Sequence, residues 1–226
     1  MRTWFLAAVV ALGLGCAKVP GGGTGVRTRR IVVTLTYAGP VRPEYVYIVG
    51  IRPSAEAAPT TTGPIPVVAP PWGNGFVTGN CTHFVRWDPT QSPTYTLYRF
   101  RDSALTTWFD VGAPVNSIDP GSEGRTLRFE LDVSQLAATP SEAEGFASVQ
   151  LNFFSQDRVP QGSSGSKAWD ALGNSRLPSE INQYLTIDLR RNGLYTNDRA
   201  GGLEPANDVA DPSLDLVDWS VEVRVQ

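Results

Sequence analysis

Histidine and cysteine are both scarce in this chain of 226 residues, which carries one histidine, His83, and two cysteines, Cys16 and Cys81. So few cysteines exclude a disulfide framework, and a single histidine excludes the His-Glu-x-x-His zinc motif. No residue stands at a sequence spacing from His83 that is typical of a charge-relay or metal-binding partner. We therefore expect His83 to be structural or exposed. Cys81 is expected to be a buried packing residue.

Ser163 and Ser164 do not fit the Gly-x-Ser-x-Gly nucleophile elbow, and we predict no catalytic residue.

Positive charge is also sparse. The net charge is -3, and Arg2 is the only charge in residues 1–15, so the remainder stands near -4. Phosphate binding needs a concentrated basic surface. The only basic cluster, Arg27, Arg29 and Arg30, is expected to be solvated, and nucleic acid is excluded as a partner.

Glycine and proline are plentiful, with 22 and 18 copies scattered between short runs rich in β-branched residues. Both residues interrupt long helices, because proline lacks an amide donor and glycine tolerates positive φ. The composition therefore indicates an all-β fold. We predict a two-sheet β-sandwich, jelly-roll or immunoglobulin-like, with long Pro/Gly-rich loops. A single open sheet would leave an apolar face exposed to water.

About nine strands are predicted from apolar runs and from alternation with period two. The clearest is residues 127–133, where Leu127, Phe129, Leu131 and Val133 alternate with polar residues. The others are predicted near residues 30–37, 44–51, 82–87, 94–101, 108–111, 148–154, 184–189 and 219–225. Residues 53–80 carry six prolines and are predicted to form a long ordered loop or an edge-wrapping segment.

The N-terminus has the pattern of an export signal. Arg2 is followed by the apolar run 4–14, which is too short to span a membrane. We therefore expect it to be cleaved from the mature protein, and residues 1–15 are predicted to be a signal peptide. Leu12-Gly13-Leu14-Gly15-Cys16 resembles the lipobox of bacterial lipoproteins. That resemblance implies lipidation of Cys16, with soluble secretion or an uncleaved anchor as alternatives. Gly13 and Leu14 depart from the aliphatic and small residues usual at those positions.

Residues 16–29 are glycine-rich and predicted to be a flexible tether, followed by a single β-sandwich domain over residues 30–226. Two or three acyl chains hold a protein firmly in a membrane, whereas one is marginal. We therefore expect a lipid-anchored protein of the cell envelope. The resemblance to lipoproteins, with Ala17 rather than aspartate after the cysteine, favours the outer membrane or cell surface.

A second resemblance is confined to under a quarter of the chain. The segment 127–136, followed by Val149-Gln150-Leu151-Asn152-Phe153 and by Trp169-Asp170-Ala171-Leu172-Gly173, is similar to the strand order of family 9 carbohydrate-binding modules and DOMON domains. The resemblance implies a sandwich fold and leaves the ligand open.

Acidic residues crowd the C-terminal region, where Asp198, Glu204, Asp208, Asp211, Asp215 and Asp218 fall within 21 residues opposed by Arg199 alone. Carboxylates are ligands that calcium prefers, although the EF-hand spacing is missing. We expect a solvated acidic loop and no required cofactor. Calcium held by Asp208, Asp211 and Asp215 is the alternative.

Aromatic residues suggest a binding surface. Trp72 in a glycine-rich loop, with Trp87, Tyr95, Tyr98 and Trp108, could stack on sugar rings. We take Trp72, Trp87 and Trp108 as the candidate ligand-binding residues, with Trp72 the most exposed and Trp219 in the core.

These observations favour a non-catalytic envelope lipoprotein whose sandwich binds a ligand, a polysaccharide or an envelope protein. A secreted carbohydrate-active hydrolase using paired carboxylates is one alternative. A structural subunit of a surface assembly is the other.

Overall fold

The computed structural model describes residues 28–158, 166–177 and 179–226. The predicted signal peptide, Cys16 with most of the tether, Ser163 and Ser164 lie outside the described residues. Among those described, no helix has the length and apolar character needed to cross a membrane.

Fourteen strands account for 42% of the described chain. In chain order they are β1 (Arg29–Tyr37), β2 (Val46–Ser54), β3 (Pro64–Pro66), β4 (Val77–Gly79), β5 (His83–Trp87), β6 (Tyr95–Phe100), β7 (Trp108–Gly112), β8 (Asn116–Ile118), β9 (Thr126–Asp132), β10 (Ser148–Gln156), β11 (Trp169–Ala171), β12 (Leu185–Asp188), β13 (Gly193–Thr196) and β14 (Leu216–Val225). The helical elements are α1 (Pro140–Gly145) and two 3-10 turns, Val133–Leu136 and Asp198–Ala200.

The strands form two large antiparallel sheets, which confirms the predicted all-β sandwich. One sheet has five strands in the order β13-β14-β1-β9-β8, so the first and last strands are neighbours. The other follows the order β11-β10-β2-β5-β6-β7, with β12 also paired to β10. β3 and β4 form a separate two-stranded sheet.

The main core lies between the two large sheets, because alternate residues of each strand point inward. The predicted alternation of residues 127–133 is confirmed by burial. The predicted shared face of Trp219, Val221, Val223 and Val225 is confirmed too, with Val225 only partly buried. Most inward residues of the seven-stranded sheet come from its central strands: Tyr47, Val49, Ile51, Val85, Trp87, Tyr95, Leu97, Val149, Leu151 and Phe153.

The proline-rich segment 53–80 covers the outer face of the seven-stranded sheet rather than its edge. Phe76 and Val77 pack there in a second apolar cluster with Ile48, Phe84, Phe100 and Phe154. Gly50 permits the close approach, since a Cβ added there would lie 2.9 Å from the Phe154 ring and 3.0 Å from Pro64 Cβ. The segment, which contains β3 and β4, therefore gives the sandwich a partial third layer.

The basic cluster differs from expectation. Arg29 is buried, and its guanidinium donates to the backbone carbonyl oxygens of Ala143 and, at 2.6 Å, Phe146. Arg30 pairs with Glu130 at 2.9 Å. The expectation of a solvated cluster is wrong for Arg29, because this side chain ties the start of β1 to the end of α1.

The inter-sheet core makes a direct prediction for stability. Phe153 is 1% exposed and its ring centroid lies 5.9 Å from that of Trp219. Phe153→Ala should lower the free energy of unfolding by about 3–5 kcal/mol in urea denaturation, because it removes apolar burial and leaves a cavity. Leu194→Ala, at a site 46% exposed, is the matched control and should change stability by under about 0.5 kcal/mol. Equal effects of the two substitutions would contradict this core.

Candidate functional site

An aromatic groove of about 290 Å³ opens on the outer face of the seven-stranded sheet, beside the covering segment. We define it by the aromatic side chains Phe76, Phe84, Tyr98 and Trp108 and the basic side chains Arg86 and Arg158.

The strand register builds the groove's aromatic wall. Phe84 on β5 and Tyr98 on β6 are directly opposed, and their rings stack with centroids 4.9 Å apart. β7 is the last strand of the sheet and pairs Trp108 with Phe100. The Trp108 indole stands edge-on to Phe84 at 5.7 Å and to Phe76 at 5.8 Å. Such perpendicular packing fixes the indole while leaving it 38% exposed.

The polar side of the groove is basic. Arg86 lies two residues after Phe84 on the same face of β5, and one of its terminal nitrogens pairs with Asp88 at 2.9 Å. Its Nε atom is buried and has no hydrogen-bond partner among the residues that the structure describes. Arg158 is exposed and donates to the Pro43 carbonyl oxygen at 3.3 Å. The described lining residues include no carboxylate.

The amides at the groove are occupied by internal contacts. Asn74 donates to the carbonyl oxygens of Val77 and Leu105 and accepts from two backbone amides. Gln156 donates to the Gly75 carbonyl oxygen at 2.9 Å and accepts from Lys167 at 2.9 Å. These two amide side chains shape the groove. The side chains that a ligand can contact are those of Trp108, Arg86 and Arg158, which are at least partly exposed.

Of the three predicted ligand-binding tryptophans, only Trp108 lines this groove. The expectation that Trp72 is the most exposed is wrong, since it is 7% exposed and its ring packs against Lys167 Nζ at 4.9 Å. Burial lowers the pKa of Lys167 to about 8. Trp87 is 5% exposed and belongs to the inter-sheet core, as do Tyr95 and Trp219.

Of the three aspartates predicted as alternative calcium ligands, the structure brings two together and places Asp211 apart from them. Asp208 and Asp215 are buried and lie together with Asp170, which sequence reasoning missed. Asp211 lies apart and accepts hydrogen bonds from the Tyr45 hydroxyl and, at 2.8 Å, the Ser213 amide. The expectation of a solvated loop is wrong for Asp208 and Asp215.

Glu204 is a further buried neighbour of this acidic group. Burial, followed by repulsion from Asp170, raises the pKa of Glu204 to about 11. The same two causes, burial and neighbouring carboxylates, also raise the pKa of Asp170 and of Asp215. Carboxyl groups in this setting must share protons or attract a cation.

Cys81 and His83 do not line the aromatic groove and do not belong to the acidic group. Cys81 is buried in the outer-face cluster, as predicted, and burial raises the pKa of its thiol to about 12. His83 is buried on β5, and its Nδ1 atom lies 2.8 Å from the Thr82 hydroxyl.

Comparison of the chain with protein-family models, with curated proteins and with solved structures found no match.

His83 gives a prediction of pH dependence. Burial, and then the charge of Arg99, lower its pKa from 6.5 to about 4. Between these values the unfolded chain binds the proton that the folded chain excludes, so stability should fall as the pH drops from 6.5 towards 4. The loss from this group is about 3 kcal/mol at most.

The measurement is urea unfolding of the wild type and of His83→Gln across this pH range. The stability difference, wild type minus variant, should shrink as the pH falls, because the variant lacks the titrating ring. Parallel pH profiles would show that His83 does not titrate in this way.

Proposed function

We propose that this chain is an exported envelope lipoprotein whose β-sandwich binds a polysaccharide without catalysis. The aromatic groove is the observation that carries the proposal. An indole held rigidly at 38% exposure can pack against the apolar face of a sugar ring. Binding to such a preformed surface requires little ordering of the protein side chains.

Charge refines the class of polysaccharide. Arg158 belongs to no ion pair among the described residues, and the Arg86 side chain is 30% exposed although one of its terminal nitrogens pairs with Asp88. Guanidinium groups bind carboxylate and sulfate oxygens through paired N–H donors. These donors favour a polysaccharide that carries acidic sugars.

The chemistry of the groove favours binding over hydrolysis. Glycosidases place two carboxyl groups on either side of the scissile bond. The described residues that line this groove supply aromatic, aliphatic, amide and guanidinium groups instead. The paired-carboxylate alternative gains no support from this surface.

Glycan-array binding of the full chain tests the groove. Trp108→Ala should weaken binding to acidic polysaccharides by about tenfold, because it removes the stacking surface. Phe109→Ala is the matched control, since Phe109 is the next residue on the same strand and is 39% exposed. Consecutive strand residues point to opposite faces, so this substitution should leave binding unchanged. Equal binding by the wild type and Trp108→Ala would reject the groove as the sugar site.

The membrane anchor is tested separately through Cys16. Growth with an alkyne-labelled palmitate should label the wild type and Cys81→Ser but not Cys16→Ser, because only Cys16 follows the lipobox-like residues. Cys81 serves as the control for nonspecific thiol acylation. Recovery of an unlabelled cytosolic chain with Met1 attached would reject both export and lipidation.

A further inference from the structure

Four buried carboxyl groups converge at a place distinct from the aromatic groove. We call Asp170, Glu204, Asp208 and Asp215 the carboxylate cluster. None of the four lines the groove. The cluster joins β11, the loop that precedes β14 and the residue just before β14.

Backbone amides hold Asp170 and Glu204 in place. Asp170 accepts from the Leu216 amide at 2.7 Å and from the Ala171 amide at 2.9 Å. Glu204 accepts through Oε2 from the Gly173 amide at 3.0 Å. One oxygen of Glu204 is thereby anchored and the other, Oε1, remains for another partner.

Asp208 and Asp215 are held in the same one-sided manner. Asp208 Oδ2 accepts from the Ser175 amide at 2.9 Å and from the Ser175 hydroxyl at 2.7 Å. Asp215 Oδ2 accepts from the Asn207 amide at 3.0 Å. Their Oδ1 atoms are left without these contacts.

The remaining oxygens are an independent sign of a ligand. Glu204 Oε1, Asp208 Oδ1 and Asp215 Oδ1 are buried and have no hydrogen-bond partner among the described residues. All three side chains belong to residues more than nine-tenths buried. Native proteins satisfy nearly all buried polar atoms, so three such oxygens in one cluster call for a partner.

No protein cation supplies that partner within the described parts of the chain. The ion pairs found there involve none of the four carboxyl groups. The nearby Arg176 donates its Nε–H to the Asp208 backbone carbonyl oxygen at 3.0 Å and not to the carboxylate. Buried carboxylates without a paired side chain are typical of metal coordination.

The donor type favours a hard cation such as calcium, and the spacing of the oxygens is compatible with calcium. One ligand oxygen each from Asp170, Asp208 and Asp215 lies within 4.8 Å of the others. Opposite ligands of calcium are separated by about 4.6–5.2 Å, twice the calcium–oxygen distance. Zinc and copper favour histidine and cysteine, whereas magnesium usually keeps several of its waters and is bound by one or two carboxylates.

We propose that Asp170, Asp208 and Asp215 of the carboxylate cluster form a structural calcium site. Calcium would neutralise the repulsion among these groups and connect the loop before β14 to β11. This inference is independent of sugar binding in the aromatic groove.

Calorimetric titration and thermal unfolding of the chelator-treated full chain test the site. Calcium at 1 mM should bind with a stoichiometry near one and raise the unfolding midpoint by about 5 °C or more, because it binds the folded state alone. Asp215→Asn should abolish both effects. The same variant should unfold at a higher temperature than the wild type in chelator, since it removes a buried, repelled charge.

Asp211→Asn is the matched control, because it removes an equal charge from the same loop but lies outside the cluster. It should retain calcium binding and the calcium-induced rise of the midpoint. If Asp215→Asn fails to fold, the calcium titration of the wild type still tests the proposed site. Absence of binding at 10 mM calcium would overturn the site, as would tighter binding of magnesium than of calcium or calcium binding unchanged in Asp215→Asn.

Discussion

Apolar contact between the inner faces of the two large sheets is the constraint on which the rest of this structure depends. Cys81 is buried as a free thiol, so no disulfide supports the described fold. The residues between the sheets are nearly all aliphatic or aromatic and almost fully buried. Their removal from water is the main favourable term that offsets the entropy of ordering the chain.

The same constraint places the aromatic groove. A strand that directs Val85 and Trp87 inward must direct Phe84 and Arg86 outward, because side chains alternate across a sheet. The proline-rich segment then covers most of that outward face and buries Trp72 against Lys167. Trp108 stays accessible because β7 forms the edge of the sheet.

The two proposed sites use different physical chemistry. The groove presents a rigid aromatic surface with guanidinium donors at its border and suits a ligand that arrives from solvent. The carboxylate cluster lies where loops meet the sheet edge, and its ligand would be part of the folded structure. Repulsion among its buried carboxyl groups works against folding until protons or a cation neutralise them. A bound cation would thus link the order of the loop before β14 to the sheet itself.

Much of the architecture follows from local sequence pattern. Alternation over residues 127–133 and 219–225 indicated half-buried strands, and the sandwich followed because their apolar faces need cover. Strands of three residues, such as β3, β8 and β11, are too short to show a period and were not predicted. β13 also escaped prediction, because its residues 193–196 carry no clear alternation and are only partly buried.

The site residues divide along the same line. Trp108, Asp208 and Asp215 were predicted from residue type, whereas Phe76, Phe84, Arg86, Asp170 and Glu204 acquire their roles from distant partners. Asp170 lies 38 residues before Asp208, and no spacing rule joins them. The sequence by itself determined the longer strands and predicted the export signal, because these depend on neighbouring residues. Only the tertiary structure decided which tryptophan stays exposed and which carboxylates meet, because burial and clustering depend on contacts between segments far apart in the chain.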